Sequence, residues 1–564
     1  MGVLLGLEPF SQPLFYLIAP LCLIALTDEL ADAGWRARVL WSVLACLSVS
    51  IFAFQWVAVA LAGIGQLPWP AAIALFLGQA PFLNLKIVLV ILGGSWFLHG
   101  PTGPRTRLGR PWIFGGLGLA GDLFAYQAFP WYWGNLAGAD PLLRQSAFLG
   151  GIFLLSFLVF SGSAALLDIT RASLRRAAIT RTLVLPLLPL LVAYGFGVIR
   201  ISTADLSGPT VRVGFFQPAT GPASKEEAGD YVTRALNLAF NYGLKTIIDE
   251  GGRLDLLLIP ETAVPFLSTN PNAANRAAGL YSPTYHGVVA FLARYGDVDV
   301  FYNELEIIAR DETQTDVEST AATNIPPPIH NLGTIYGREG RRRGSYIKQR
   351  LGPFGEYLPG ESAPPFLRAL LPEASNYRPG GTPMPVAYEY RTNRAPVRFL
   401  PPTPDEMNSL SDPELIESEW PEHAPGSRGY FLPLICYEGM FPDLVRDFFH
   451  GPDAPPPDFL VNISNDAWFG DYLTNWQHFE AVRMRAIETN RYFVRSTLTG
   501  AGGVIDPLGR NVIPPTPLGR PAIRTADVPR RPNAWSPYLT VGEWPLYMLL
   551  IVLISIGYKM KRDD

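Results

Sequence analysis

Six long apolar runs crowd the first two hundred residues, and this pattern constrains the chain more than any other feature. They lie at about Pro9–Leu26, Val39–Ala62, Trp69–Leu98, Trp112–Leu136, Ala147–Leu167 and Thr182–Ile199. Each is near or above the roughly 20 residues that a bilayer core demands. A seventh run, Trp544–Tyr558, closes the chain and is followed by Lys559, Lys561 and Arg562. The whole chain is 48% hydrophobic and only 17% charged, as expected if part of it lies in lipid. The expected division is a multi-span transmembrane domain of about six helices over residues 1–202, a soluble domain over 203–540, and a C-terminal span with a short tail over 541–564. Lys86 and Asp122 fall inside two runs and should face the bundle interior or an interface. Trp131, Tyr132 and Trp133 form a cluster suited to a headgroup boundary.

Arginines fix an orientation. Arg36 and Arg38 follow the first run, Arg105, Arg107 and Arg110 the third, and Arg171, Arg175, Arg176 and Arg181 the fifth. The intervening loops carry only Arg144. The arginine-rich loops read as cytoplasmic, which puts residues from about Ser202 onward outside the cytoplasm. The same count puts the N-terminus outside. MGVLLGLEPF lacks a basic region ahead of its apolar residues, so no cleavable signal peptide is expected.

The 203–540 segment reads as α/β. Val211–Gln217, Leu254–Ile259, Val298–Glu304, Leu332–Tyr336, Phe431–Ile435, Phe459–Ile463, Tyr492–Thr497 and Gly503–Ile505 have strand character. Helices are expected at about Lys225–Glu250 and Trp476–Asn490, with Arg483 and Glu488 in structural ion pairs. Arg338–Arg343 reads as a basic turn facing solvent or anionic lipid. Residues 309–328 and 401–428 read as surface loops; Asp405–Glu422 holds seven acidic residues and no Lys or Arg.

Three of the strands end in chemistry. Glu261, Lys348 and Cys436 each terminate a strand, 87 and 88 positions apart, so any contact among them is tertiary. Singly, each has a bland reading: a solvated turn acid, a loop lysine, a small buried hydrophobe. If the strands share one sheet, the three side chains converge at its C-terminal edge. Together they are chemically complete. A thiol needs a base or a cation to become a thiolate. Glu261 can accept its proton, Lys348 can stabilise an oxyanion, and the Tyr437 backbone N–H can add a second donor. None of the six histidines sits in a Cys–His pattern. The net charge of −4 gives no nucleic-acid signal, no metal or cofactor motif is present, and the single Cys of the soluble part excludes an internal disulfide.

IPETAVP at Glu261, KQRLGPFGEYLP at Lys348 and Glu356, ICYEGMFP at Cys436 and Glu438, and SNDAWFG followed by WQHFEAVRMRAIETNRY resemble the nitrilase (carbon–nitrogen hydrolase) superfamily. With FPWYWGN and LGGIFLLSFL in the apolar part, the chain resembles the apolipoprotein N-acyltransferase family of the bacterial envelope. The resemblance implies an αββα sandwich on a helical transmembrane bundle. It implies Glu261 as base, Lys348 as oxyanion stabiliser and Cys436 as nucleophile, with Glu356 and Glu438 in support and Tyr437 and Trp468 near the acyl-chain entrance. The activity implied is acyl transfer from a membrane phospholipid donor, through a Cys thioester, to the α-amine of a diacylglyceryl-cysteine lipoprotein acceptor. The protein would act as a monomer in the inner membrane, catalytic domain on the periplasmic side. Two alternatives stand beside this: a membrane-tethered nitrilase-type amidase, and an inactive scaffold.

Overall fold

The computed structural model describes residues 15–63, 67–99, 104–127, 129–174, 180–221, 228–307, 328–353, 355–357, 377–391, 427–451, 454–470 and 473–563. Among the described residues eight helices come first: α1 Phe15–Glu29, α2 Trp35–Ala53, α3 Trp56–Gly63, α4 Trp69–Leu83, α5 Leu85–Leu98, α6 Pro104–Phe124, α7 Ala147–Leu174 and α8 Thr180–Thr203. Three expected spans are interrupted, the one over 69–98 by the break between α4 and α5. The run expected over 39–62 breaks between α2 and α3, and the run over 112–136 is helical only to Phe124, continuing into a 3₁₀ turn at Trp133–Ala139. By length and composition, two helices among the described residues can cross a membrane alone, Trp35–Ala53 and Leu143–Arg171. A third span results if α4 and α5, bent by 46°, count as one, and Leu187–Thr203 and Trp544–Met560 are apolar but shorter.

Burial explains the fourth run. Lys86 Nζ is 2.9 Å from Asp122 Oδ1, and both side chains are buried. Asp122 Oδ2 also accepts the Trp133 N–H at 2.7 Å and the Ser156 hydroxyl at 2.6 Å. A buried charge pair persists only when its remaining valences are met, and the chain after Phe124 leaves the helix to meet them. Trp131, Tyr132 and Trp133 consequently pack inside the bundle, each at most 8% exposed, and do not form a headgroup belt.

The basic helix ends gather on one face. Arg110 pairs with Asp168 and, at 2.5 Å, with Asp28, which also takes Arg171 at 2.5 Å. A Cβ on Gly109 would meet Met560, so the C-terminal helix α12, Trp544–Asp563, ends on this face too.

The remaining elements form two sheets. The six-stranded one runs β11-β1-β2-β3-β4-β5 and the five-stranded one β10-β9-β8-β7-β6. In chain order the strands are β1 Thr210–Gln217, β2 Leu256–Leu258, β3 Asp299–Glu306, β4 His330–Gly337, β5 Arg341–Ile347, β6 Val386–Tyr390, β7 Ser427–Ile435, β8 Phe459–Ser464, β9 Phe493–Thr497, β10 Gly503–Ile505 and β11 Ala522–Pro529. Helices α9 Ala228–Asp249 and α10 Pro283–Gly296 cover the first sheet's outer face, and α11 Leu473–Thr489 covers the second's. The layers are αββα, and the strands are apolar on both sides for that reason. Phe215, Leu256, Leu258 and Phe301 meet Phe431, Phe459 and Val461 between the sheets. Each such side chain contributes about 1.5–3 kcal/mol on burial.

The expected basic turn faces solvent only in part: Arg341 is exposed, but its neighbours are drawn into ion pairs. Arg338 is buried, Arg342 pairs with Glu304 at 2.9 Å and Glu306 at 2.8 Å, and Arg343 pairs with Asp299 at 2.8 Å. The 309–327 stretch and residues 401–426, with the acidic insertion, lie outside the described residues.

Helix α11 joins the two parts. Phe479 and Val482 face the sandwich, while Met484 and Ile487 pack into the helical bundle's core. As expected, Arg483 and Glu488 are ion-paired, with Glu480 and with Arg485 respectively. Glu488 Oε1 also accepts the Ile152 N–H at 2.8 Å. That N–H is freed because α7 is broken at Gly150 and Gly151 (φ +66°), where a Cβ would lie 2.5 Å from the Tyr538 ring. Gln477 donates to Ala53 O at 3.0 Å and Gln145 to Leu508 O at 3.0 Å, so α11 and the turn after β10 both touch the bundle.

Candidate active site

The three expected residues converge, but not on one sheet. Glu261 follows β2 and Lys348 follows β5 in the first sheet, whereas Cys436 follows β7 in the second. The site lies where the ends of both sheets meet.

Glu261 is 4% exposed and Lys348 2%. Lys348 Nζ is 3.2 Å from Glu261 Oε1 and 3.0 Å from Glu356 Oε1. Asn331 Nδ2 donates to both of those oxygens, at 3.0 and 2.9 Å. Asn303 donates to Asn331 Oδ1 at 2.6 Å, and its own oxygen accepts the Thr262 N–H at 3.0 Å. The second Glu261 oxygen accepts the Asn465 N–H at 3.0 Å, from the far sheet. Both carboxylates are therefore fixed, which suits groups that must act without reorganising. Glu356 Oε2 accepts the Gly352 N–H at 2.6 Å, shaping the loop after Lys348.

Cys436 is partly buried and opens a 3₁₀ turn, Cys436–Met440, with φ +57°. A non-glycine residue there is strained, and such strain clusters at functional sites. Glu438 braces the turn. Its Oε2 accepts the Ile435 N–H at 2.8 Å, and its Oε1 accepts Tyr346 O–H at 2.9 Å and the N–H groups of Gln349 and Arg350 at 2.7 and 3.0 Å. One buried carboxylate thus ties the strand that ends at Cys436 to the loop that follows Lys348. Burial pushes its carboxyl up to about 7. Tyr437 donates its hydroxyl to Leu351 O, and its ring lies 6.0 Å from Lys348 Nζ. Trp468 lies on the turn Asp466–Phe469 after β8; its side chain is outside the described residues.

The electrostatics separate the roles. Burial, then the Glu261 carboxylate, pushes the Cys436 thiol far up, against the pull of Lys348. Burial works against the Lys348 ammonium, but Glu261 and Glu356 outweigh it and hold its pKa well above the ordinary value. At rest the pair that titrates away from ordinary values is therefore a Cys436 thiol and a Lys348 ammonium.

Sequence reasoning missed Asn303 and Asn331, which lie within strands whose apolar runs hid them. Asn465 lay inside a quoted motif but carried no role. Among the described residues, no group of three or more His, Cys, Asp or Glu could hold a metal ion.

Residues 412–531 match the carbon-nitrogen hydrolase family. The chain is 30% identical to apolipoprotein N-acyltransferase 1 of Leptospira interrogans serovar Lai, over 98% of this chain and 94% of that one. It is 28% identical to apolipoprotein N-acyltransferase of Azotobacter vinelandii, over 99% and 94%. Among solved structures, an amidase from Nesterenkonia sp. is 14% identical, with a TM-score of 0.34 over 61% of this chain and 97% of that one.

Proposed function

The chain belongs to the apolipoprotein N-acyltransferase family, and from that premise we propose how its residues divide the work. The enzyme transfers an acyl chain from a membrane phospholipid, through a cysteine thioester, to the α-amine of a lipoprotein's N-terminal diacylglyceryl-cysteine. Glu261 takes the Cys436 proton, and the sulfur attacks the ester carbonyl of the phospholipid. The carbonyl electrons move to oxygen, where the Lys348 ammonium and the Tyr437 N–H stabilise them. Collapse expels the lysophospholipid alkoxide, which takes the proton from Glu261. The lipoprotein amine then attacks the thioester, loses a proton to Glu261, and releases the amide and the Cys436 thiol. Glu356 and Glu438 hold the lysine and the nucleophile's turn, and the family resemblance assigns Tyr437 and Trp468 to the acyl-chain entrance.

The observation that supports this best is the single carboxylate oxygen of Glu261 that meets Lys348 at 3.2 Å, within a pocket where the same carboxylate acts on the Cys436 thiol. A base and an oxyanion donor are thereby built into one rigid unit. The helical part is a bundle with apolar helices fit for a membrane. We read residues 1–202 and 541–564 as its transmembrane domain, 203–540 as the catalytic domain, and the arginine-rich face as cytoplasmic. The catalytic domain then lies on the periplasmic side of the inner membrane, in a chain acting as a monomer.

Expression in cells deficient in lipoprotein N-acylation tests the reading. Mass spectrometry should find a third acyl chain on a lipoprotein N-terminus with the wild-type chain and none with Cys436→Ser. Turnover of soluble amides without an acyl-lipid donor would favour the amidase reading instead.

A further inference from the structure

A buried polar cluster beneath the nucleophile has no part in the steps above. Asn462, Asp466 and Arg495 are each 0% exposed and His478 is 3% exposed. Arg495 Nη2 lies 2.8 Å from Asp466 Oδ2 and 3.0 Å from Oδ1. His478 Nδ1 is 3.1 Å from Asp466 Oδ1, and Ser464 Oγ donates to the same oxygen at 2.7 Å. An interior ion pair of this kind adds little net stability compared with apolar packing, so its geometry needs another reason.

The geometry leads to Cys436. Arg495 Nη1 donates to Asn462 Oδ1. A guanidinium has no acceptor, so the amide oxygen must face it and the NH₂ must face away. That NH₂ donates to the Cys436 carbonyl at 2.9 Å and the Leu434 carbonyl at 3.2 Å. The Cys436 carbonyl belongs to the residue held at φ +57°, a conformation that L side chains rarely adopt. One residue before Asp466, Asn465 gives its N–H to Glu261. The same anchor therefore reaches the nucleophile's peptide and the carboxylate opposite it.

We propose that Asn462, locked in one orientation by Arg495 and Asp466, is a positioning residue that holds Cys436 in its left-handed conformation and so sets the approach of its sulfur to Glu261. This rests on the reading of Cys436 as the acyl carrier. Asn462→Asp separates the two functions of the side chain: it keeps the size and the acceptor for Arg495 but removes the donor to Cys436.

The test uses the full-length protein in vesicles of phosphatidylethanolamine bearing a labelled acyl chain, with the adduct on Cys436 followed in a single turnover. In Asn462→Asp the adduct should form about 10–100-fold more slowly, as expected for a small misplacement of a reacting atom, with the half-saturating lipid concentration unchanged. Asp466→Asn, which leaves the amide in place but slackens its lock, should slow the step in the same direction, and the double variant should be slowed by less than the product of the two. If Asn462→Asp does not fold, Asp466→Asn decides by the same rate. Wild-type rates in the folded variants, or a rate loss that comes entirely as weaker lipid saturation, would overturn the inference. A wild-type protein that forms no Cys436 adduct would instead overturn the thioester reading beneath it.

Discussion

Asn331 donates its amide to Glu261 at 3.0 Å, on the carboxylate oxygen that also meets the Lys348 ammonium. A hydrogen bond to a charged group contributes about 1.5–3 kcal/mol. Asn331 makes a second such bond, to Glu356 at 2.9 Å. Asn331→Ala should therefore slow Cys436 acylation by roughly 10–100-fold, with lipid affinity little changed. Stopped single-turnover assays read both quantities. A wild-type acylation rate would show that Glu261 needs no such brace.

Glu438 predicts a stability effect with a definite pH trend. In Glu438→Gln one acceptor becomes a donor facing N–H groups, which should destabilise the fold by about 1–3 kcal/mol. The sign with pH follows from burial, which raises this carboxyl to about 7. A carboxyl raised above its ordinary value contributes stability at pH below that ordinary value and loses it as pH rises through 7. Glutamine does not titrate. The gap in melting temperature between wild type and Glu438→Gln should therefore be wider at pH 5 than at pH 8, and a gap that widens with pH would contradict this.

The Cys436 thiol should behave as a poor nucleophile until its proton is taken. Its alkylation by a small haloacetamide should climb through the alkaline range, beyond the roughly 8.5 of a free cysteine. Glu261 raises this thiol while Lys348 lowers it. Glu261→Gln should thus lower the apparent thiol pKa even as acyl transfer is lost. A pKa unchanged in that variant would mean that the carboxylate and the sulfur do not share a pocket.

The proposed sidedness is testable by labelling. Asn533, in the loop between β11 and α12, and Arg36, at the start of α2, are both exposed. With Cys22 and Cys436 replaced by Ser, a cysteine at Asn533 should react with an impermeant maleimide once the outer membrane is opened. A cysteine at Arg36 should react only after the inner membrane is breached. The reverse pattern would invert the orientation.

These sites were unequally legible in the sequence. Glu261 and Cys436 stood out because each ends an apolar run at a rim, where a polar residue needs a reason, and Lys348 because it ends a short strand before a rigid Pro- and Gly-bearing loop. Their partition between two sheets was hidden, since apolar runs look alike whichever layer they join. The strands β6 and β11 escaped because Val386–Tyr390 and Ala522–Pro529 are half exposed and carry charged residues. Trp131–Trp133 looked interfacial by composition; only the Lys86–Asp122 pair, a tertiary contact, draws them inward. Asn331 and Asn462 carry no local mark, because an asparagine's role depends on which carbonyl or carboxylate the fold brings to it.

The central claim is that Cys436 carries the acyl chain. The direct measurement is intact-protein and peptide mass spectrometry of purified enzyme incubated with a phospholipid bearing an isotopically labelled palmitoyl group. The account predicts one labelled acyl chain on the Cys436 peptide, released by neutral hydroxylamine and absent from Cys436→Ser. Lipoprotein N-acylation proceeding at the wild-type rate in Cys436→Ser, with no adduct on either protein, would contradict it.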